Sequence, residues 1–247
     1  QGRTVRNPAI NKYRKNRKRA GSLNFLEDCV GECQYFVTFA KMCYTTQKER
    51  KMKVAIIKYN AGNIFSVDYA LRRLGVEPVI TADAEELTGA DKVIFPGVGE
   101  ATTTMDYLRR TGLDQLIKDL KQPVLGICLG MQLMCSHSEE GDVDCLGIFQ
   151  TDVKRFHPQR HEDKVPHMGW NTLTGTRGDL FNGFDKEEFV YFVHSFYVPV
   201  NECTVAQTQY IHPFSAAIQK DNFYATQFHP EKSGKTGERI LTNFLNL

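Results

Sequence analysis

Short apolar runs alternate with amphipathic stretches along the chain from residue 53 onward. Four apolar runs that end at turn-forming residues predict buried strands: 53–59, 76–80, 92–95 and 124–127. Three stretches whose apolar residues recur every three to four positions predict helices: 64–74, 105–110 and 113–120. This order predicts an α/β fold with a mostly parallel central sheet and helices on both faces.

The second half of the chain contains more strand-like runs than helical ones. Six of these runs predict strands: 147–149, 153–156, 189–193, 204–210, 216–219 and 224–228. We expect some of them to form an antiparallel edge or a small side sheet. A final helix is predicted over 234–245.

Charge divides the chain near Met52. Residues 1–51 carry 12 Lys and Arg against 4 Asp and Glu, whereas residues 52–247 carry 19 against 25. The basic segment is either a nucleic-acid-binding or targeting arm, or a disordered extension without function. Because it lacks interleaved aromatic residues and a clean amphipathic period, we favour the second interpretation. We therefore expect one folded domain over 52–247, preceded by an extension over 1–51 of doubtful function.

Composition argues against several classes of protein. No apolar run approaches the roughly 18 residues of a membrane-spanning helix, and no secretory signal pattern is present. Seven Cys in 247 residues are too few and odd in number for a disulfide scaffold. No cluster of His, Cys, Asp or Glu has the spacing of metal ligands, so we predict no metal site.

The candidate nucleophile is Cys128, which lies between a predicted strand and a predicted helix. The segment 126–130 reads GICLG, the pattern of a nucleophile elbow with Cys in place of Ser. Small residues two positions before and after the nucleophile permit the tight turn, and the following helix offers its N-terminus to an anion. By itself, the motif is equally compatible with a buried core Cys beside two loop glycines.

The candidate base is His229, which follows the predicted strand 224–228. Glu231 lies two residues further on, and at strand spacing the two side chains would point the same way. The carboxylate could then hold the imidazole in one tautomer. The other interpretation is a His-Pro turn with a solvated Glu. We expect His157, His161 and His212 to be solvated in polar loops.

Five segments together resemble a known family. The segments 96–99 (PGVG), 126–132 (GICLGMQ) and 228–233 (FHPEKS), in this order, resemble class I glutamine amidotransferases. The segments 164–171 (KVPHMGWN) and 191–195 (YFVHS) narrow the resemblance to the glutaminase subunits of imidazole glycerol phosphate synthase, from histidine biosynthesis. The resemblance covers about 52–247, and nothing in 1–51 contributes to it.

The resemblance implies a flavodoxin-like α/β sandwich and a glutaminase activity. Cys128 would attack the glutamine side-chain amide, His229 would transfer the proton to leaving ammonia, and Glu231 would orient His229. Backbone N–H groups would stabilise the oxyanion at Gly97, Val98 and Leu129. Further family positions would contact glutamine: Gly99, Gln132, Glu140, Ser195 and Phe196. The implied hydrolysis requires no cofactor.

The resemblance also implies a partner. Ammonia would pass to a (β/α)₈-barrel cyclase subunit, which would make imidazole glycerol phosphate and aminoimidazole carboxamide ribonucleotide. Four residues match family positions at the interface of that heterodimer: Met168, Trp170, Tyr191 and Lys232. Such an enzyme would be cytoplasmic and would bind neither nucleic acid nor membrane.

Three alternative functions remain at this stage. The chain could be the amidotransferase subunit of another synthase, such as those for anthranilate, aminodeoxychorismate or pyridoxal phosphate. It could be a catalytically silent binding or regulatory domain on the same fold. It could also be a cysteine hydrolase with a different substrate.

Overall fold

The computed structural model describes residues 51–59 and 64–247, so the predicted extension 1–51 lies outside the described residues except for Lys51. The strands of this part are β1 Val54–Ile57, β2 Val79–Thr81, β3 Lys92–Phe95, β4 Val124–Ile127, β5 His137–Ser138, β6 Val143–Asp144, β7 Asp152–Arg155, β8 His167–Leu173, β9 Glu188–His194, β10 Phe196–Tyr197, β11 Thr204–Tyr210, β12 His212–Lys220 and β13 Phe223–Thr226. The helices are α1 Ile64–Arg73, α2 Ala84–Thr88, α3 Ala101–Thr111, α4 Leu113–Asp119, α5 Leu129–Leu133 and α6 Gly234–Leu245. Short 3₁₀ turns cover Asp179–Phe181 and Pro230–Lys232.

A seven-stranded sheet forms the centre of the described residues, in the order β11-β12-β13-β4-β3-β1-β2. The strands from β13 to β2 are parallel, whereas β11 and β12 add an antiparallel edge. A four-stranded sheet, β10-β7-β5-β6, and the antiparallel pair β8-β9 lie beside it. The predicted parallel sheet with additional antiparallel strands is therefore confirmed.

Helices cover both faces of the central sheet because successive strand residues point to opposite sides. In β1, Val54 and Ile56 join the apolar cluster that contains buried residues of α1 and α6. Ala55 and Ile57 join the cluster that contains buried residues of α2, α3, α4 and α5. All four residues of β1 are buried, as are those of β3, β4 and β13. Burial on both faces explains why these strands read as continuous apolar runs.

The strand predicted over 147–149 is wrong. This segment is a loop in which Gly147 has a φ of 68°, and its N–H groups bond to the two residues that follow α5. Ile148 and Phe149 both donate to the carbonyl of Met134, and Gly147 donates to the carbonyl of Cys135. The apolar run therefore satisfies the carbonyls that follow α5 instead of pairing with another strand.

Other element boundaries also differ from the prediction. The strand predicted over 76–80 begins later, at Val79, and ends at Thr81. Helix α2 and strand β8 were not predicted from the pattern of apolar residues. Helix α2 has only five residues, and its N-cap is Asp83. Strand β8 exposes residues on both sides of a glycine, so it carries little of the regular alternation of a strand.

Among the described residues, no helix is long and apolar enough to cross a membrane.

Candidate active site

The predicted nucleophile occupies a strained turn between β4 and α5. Cys128 has φ 54° and ψ −108°, a backbone conformation that residues with a side chain rarely adopt. Its N–H donates to the carbonyl of Thr226 at 2.7 Å, and its carbonyl accepts from the N–H of Gln132 at 3.2 Å. The end of β13 and the first turn of α5 thus hold the backbone of Cys128 in place.

Two glycines allow this turn to pack directly against the loop after β3. A Cβ atom on Gly130 would stand 2.1 Å from the carbonyl oxygen of Phe95, and one on Gly97 would stand 2.2 Å from the nitrogen of Gly130. Both distances are shorter than any real Cβ contact, and the atoms concerned belong to the backbone. The close approach therefore requires glycine at both positions, and it places Gly97 beside the N-terminus of α5.

The predicted base and its orienting carboxylate are in direct contact. His229 Nδ1 lies 2.8 Å from Glu231 Oε1, and both side chains are almost completely buried. The reasoning from strand spacing was wrong, because β13 ends at Thr226 and Glu231 belongs to the 3₁₀ turn Pro230–Lys232. The turn, and not a strand, brings the carboxylate to the imidazole.

The electrostatics of this pair favour a protonated imidazole. Burial by itself lowers the pKa of His229, but the neighbouring Cys128 sulfur and Glu231 outweigh it and raise the pKa to about 10. His229 Nε2 is buried on the side of the ring that faces the Cys128 sulfur, since Nδ1 is taken by Glu231. This nitrogen is therefore placed to exchange a proton with a group that reacts at the sulfur.

One cavity of about 340 Å³ contains Cys128 and His229. It is also lined by every residue predicted for the oxyanion site and for glutamine binding: Gly97, Val98, Leu129, Gly99, Gln132, Glu140, Ser195 and Phe196. Lys232, predicted at the partner interface, lines it too. The structure thus brings together residues from segments that are far apart in the sequence.

The two polar side chains predicted to contact glutamine have protein partners in the structure. Gln132 Nε2 donates to the carbonyl of Phe196 and to Gln227 Oε1, both at 3.0 Å. Glu140 Oε2 accepts from the N–H of Ala101 at 3.0 Å, at the start of α3, and burial raises the pKa of Glu140. The amide nitrogen of Gln132 is therefore used to hold the cavity wall together, whereas Glu140 presents a carboxyl group to the cavity.

Three residues near Cys128 were not predicted from the sequence. The Tyr59 hydroxyl donates to the carbonyl of Pro96 and so holds the peptide that precedes Gly97. Gln227 Nε2 and the carbonyl of Val193 both lie 3.8 Å from Cys128 Sγ. Tyr59 ends the apolar run predicted over 53–59 and Val193 lies inside strand β9, so neither stands out as functional in the sequence. Gln227 had a usable signal, since it directly precedes the 228–233 motif.

The residues predicted at a partner interface lie on the antiparallel pair β8-β9 and beside it. Met168 and Trp170 are exposed to 64% and 56%, Tyr191 is half-buried, and Lys232 is exposed. Trp170 pairs with Tyr191 in register, and their rings meet edge to face. Phe189, which was not predicted, adds a further exposed ring on β9. The result is an exposed apolar face close to the cavity, a feature typical of interaction sites.

Five of the other six histidines divide into three groups. His157 and His161 are exposed, as expected. The prediction for His212 is wrong, since this residue belongs to β12 and its ring packs against Phe156 and Tyr197. His167 and His194 are buried neighbours on β8 and β9.

Among the described residues, no group of three or more His, Cys, Asp or Glu side chains could hold a metal ion.

Comparison with known proteins identifies the family. A family model described as glutamine amidotransferase class-I matches residues 39–247. An imidazole glycerol phosphate synthase subunit HisH from Bacteroides thetaiotaomicron is 77% identical over 196 residues, which are 79% of this chain and 100% of the relative. The chain belongs to the HisH family of class-I glutamine amidotransferases. The resemblance inferred from the five motifs is thereby confirmed.

A more distant relative supports the family, and two solved structures share the fold. HisH from Idiomarina loihiensis is 47% identical over 79% of this chain and 98% of its own length. The crystal structure of a glutamine amidotransferase shares the fold, with a TM-score of 0.60 at 20% identity over 78% of this chain and 97% of its own. The structure of PurLQS from Thermotoga maritima shows the same fold, with a TM-score of 0.59 at 16% identity over 79% and 98% of the two chains. The amidotransferase fold is thus shared beyond the HisH family.

Proposed function

We propose that this HisH-family amidotransferase is the glutaminase subunit of imidazole glycerol phosphate synthase, which supplies ammonia for a step of histidine biosynthesis. The observation that carries the proposal is the meeting of Cys128 and the His229–Glu231 pair at one cavity. The reaction is the hydrolysis of glutamine to glutamate and ammonia.

The first chemical step is attack by Cys128 on the side-chain amide carbon of glutamine. The thiolate is the nucleophilic form of a cysteine, and His229 is the basic group beside the sulfur. His229 then gives its proton to the leaving nitrogen, so that ammonia departs and a glutamyl thioester remains. Water then attacks the thioester carbon while His229 accepts a proton from the water. The C–S bond breaks, which releases glutamate and returns the free Cys128 sulfur. Glu231 holds Nδ1 throughout and keeps Nε2 directed at the reaction.

The oxyanion formed in both steps is stabilised by backbone N–H groups. Leu129 is the first residue of α5, whose N-terminal N–H groups have no partner within the helix. The second donor is the N–H of Gly97 or Val98, in the loop that packs against this helix. Tyr59 fixes the Pro96 carbonyl, so the peptide between Gly97 and Val98 is the one left to turn.

Glutamine binding is assigned to the rest of the cavity wall. The carboxyl group of Glu140 suits the α-amino group of glutamine, because opposite charges attract strongly where solvent is partly excluded. Gly99, Ser195 and Phe196 offer backbone groups, and Gln132 shapes the wall through its bond to the Phe196 carbonyl.

The proposed partner is a (β/α)₈-barrel cyclase subunit that docks on the exposed face formed by Met168, Trp170 and Tyr191. Lys232 is exposed and also lines the cavity, which supports a partner that docks next to the cavity. Ammonia would therefore pass into the partner without first reaching bulk water. We infer a cytoplasmic heterodimer whose working domain is 52–247, with the extension 1–51 outside it.

The decisive experiment separates glutamine-dependent from ammonia-dependent synthesis in the assembled heterodimer. Cys128→Ala should abolish the glutamine-dependent reaction and leave synthesis from external ammonium salt intact, because cyclisation occurs in the partner. Cys145→Ala is the matched control, since Cys145 is a half-buried free cysteine outside the cavity. Glutaminase activity in Cys128→Ala would contradict the assignment of the nucleophile.

The same assay addresses the alternatives. A silent binding domain would show no glutamine-dependent synthesis in the unmodified complex. A component of another synthase would not support imidazole glycerol phosphate formation with the barrel partner. A hydrolase with a different substrate would not release glutamate from glutamine.

A further inference from the structure

A buried pair of histidines beside the cavity has no part in the chemistry proposed above. His167 on β8 and His194 on β9 are paired in register, and each exposes at most 5% of its surface. His167 Nδ1 lies 3.0 Å from His194 Nε2. His194 lines the cavity, whereas His167 does not. The pair therefore extends from the cavity wall into the strand that carries Trp170.

The hydrogen bonds at both ends of the histidine pair determine which ring nitrogens donate and which accept. Asn171 Nδ2 lies 3.3 Å from His167 Nε2, and an amide N–H only donates, so this ring nitrogen accepts. A neutral His167 then carries its proton on Nδ1 and donates to His194 Nε2. His194 in turn carries its proton on Nδ1 and donates to the carbonyl of Phe196 at 2.7 Å.

The orientation of the Asn171 amide is supported independently. Its Oδ1 accepts from the N–H of Thr172 at 2.8 Å, and its Nδ2 donates to the carbonyl of Gln209 at 3.1 Å. Exchanging the amide oxygen and nitrogen would break both bonds. The imidazoles themselves are neutral near pH 7, because burial lowers the pKa of His167 to about 4 and that of His194 to about 3.

At its far end, this chain of hydrogen bonds meets the wall of the cavity. The Phe196 carbonyl accepts from His194 Nδ1 and also from Gln132 Nε2, which uses both lone pairs of the oxygen. Gln132 also donates to Gln227, whose amide nitrogen lies 3.8 Å from Cys128 Sγ. Loss of the His194 bond would therefore loosen a polar network that ends at the nucleophile.

We propose that His194, held in one tautomer by His167 and Asn171, is a positioning residue that keeps the Phe196 carbonyl and Gln132 in the geometry that glutamine binding requires. This inference rests on the proposed glutaminase function. It assigns His194 no proton transfer with substrate. Its effect is on the affinity of the cavity for glutamine more than on the chemical step.

The first test reads the tautomers directly. NMR of the full chain labelled with ¹⁵N at histidine should show both rings neutral at pH 7.5, each with its proton on Nδ1. Single His167→Asn and His194→Asn variants assign the signals. A proton on Nε2 of His194, or a charged ring, would overturn the proposal. This measurement on the unmodified chain does not depend on whether a packing variant folds.

The second test measures steady-state kinetics in the assembled heterodimer. His194→Phe keeps an aromatic ring but removes the donor to Phe196, and the KM for glutamine should rise about tenfold with a smaller change in kcat. His194→Asn retains a donor at the position of Nδ1 and should return KM to within about threefold of the unmodified value. Synthesis from ammonium salt should be unchanged in both.

His212→Phe is the matched control. The rings of His194 and His212 both lie 5.4 Å from the ring of Phe156, but His212 makes no bond to the cavity wall. A purely structural role would give similar kinetics in His194→Phe and His212→Phe, and that result would overturn the proposal. If the unmodified complex itself failed to use glutamine, the proposed function would be wrong, which is a distinguishable outcome.

Discussion

The contact between the nucleophile turn and the loop after β3 leads to a sharp prediction for Gly130→Ala. The added Cβ would stand 2.1 Å from the Phe95 carbonyl oxygen, whereas an ordinary contact begins at 3.4 Å. Both groups are backbone, so no side chain can move aside. Helix α5 and the end of β3 must therefore separate by about 1 Å or tilt against each other.

This displacement separates the two sides of the proposed oxyanion site. Leu129 lies on the helix side and Gly97 on the loop side, so the two N–H groups would no longer converge. A misplacement of about 1 Å can cost about a hundredfold in rate, which corresponds to about 2.7 kcal/mol of activation free energy. Overpacking should also lower the free energy of unfolding by about 1–3 kcal/mol.

The assay compares glutamine-dependent with ammonia-dependent synthesis in the heterodimer, together with urea unfolding of the chain. Gly130→Ala should lose about a hundredfold in glutamine-dependent kcat/KM and keep its ammonia-dependent rate. Gly126→Ala should lose less, because its Cβ would meet the flexible Met134 sulfur at 2.9 Å and the Gly130 backbone only at 3.0 and 3.1 Å, which are much longer than the 2.1 Å contact of a Cβ on Gly130. Gly175→Ala, at φ 60° with open space around it, controls for loss of stability alone.

The reasoning would be refuted if folded Gly130→Ala kept its glutamine-dependent rate to within about threefold of the unmodified protein. It would also be refuted if Gly175→Ala and Gly130→Ala lowered the free energy of unfolding equally and also lost the same glutamine-dependent activity.

Four further predictions follow from the site and its surroundings. Because the pKa of His229 is raised to about 10, its contribution to the free energy of unfolding is complete below pH 6.5 and is lost as the pH rises toward 10. In urea unfolding, Glu231→Gln should therefore lose less stability between pH 6 and pH 9 than the unmodified protein does. An equal loss in both proteins would contradict the assignment of Glu231 as a group that raises this pKa. Trp170→Ala should weaken binding of the barrel subunit by about 2 kcal/mol or more, measured by calorimetry. An unchanged affinity would show that the exposed face around Trp170 is not part of the interface. Deletion of 1–51 should leave the melting temperature and activity unchanged, and a large fall in either would give the extension a role. The barrel subunit with its bound nucleotide should activate glutamine hydrolysis by turning the peptide between Gly97 and Val98. Equal hydrolysis rates for the chain alone, for the chain with the barrel, and for the chain with the barrel and its nucleotide would exclude this activation.

Much of the fold could be predicted from local patterns in the sequence. The bounds of β3, β4, β11 and α6 agree with the structure, because buried parallel strands and amphipathic helices leave strong apolar signals. The failures lie where a segment depends on a distant partner. The loop 147–149 is apolar enough for a strand, but its N–H groups are taken up by carbonyls next to α5.

Local constraints correctly predicted the turn at Cys128, whereas the geometry expected for His229 and Glu231 was wrong. The turn at Cys128 needs small neighbours whatever surrounds it, so its glycines mark it in the sequence. The contact between His229 and Glu231 was predicted from strand spacing, but a 3₁₀ turn makes it. The role of Tyr59 could not be predicted, since its partner is the carbonyl of Pro96, in the loop after β3.

The sequence by itself therefore determined the layers of the domain, the turn at the nucleophile and the motifs that identify the family. These features depend on the conformational limits of a few adjacent residues and on periodic burial. Only the tertiary structure decided that His229 and Gln227 would meet Cys128 and that Gly130 would approach Phe95. It also decided that two buried histidines would form a chain of hydrogen bonds ending at the cavity wall. Such contacts join residues far apart in the chain, and packing of the whole sheet is required to bring them together.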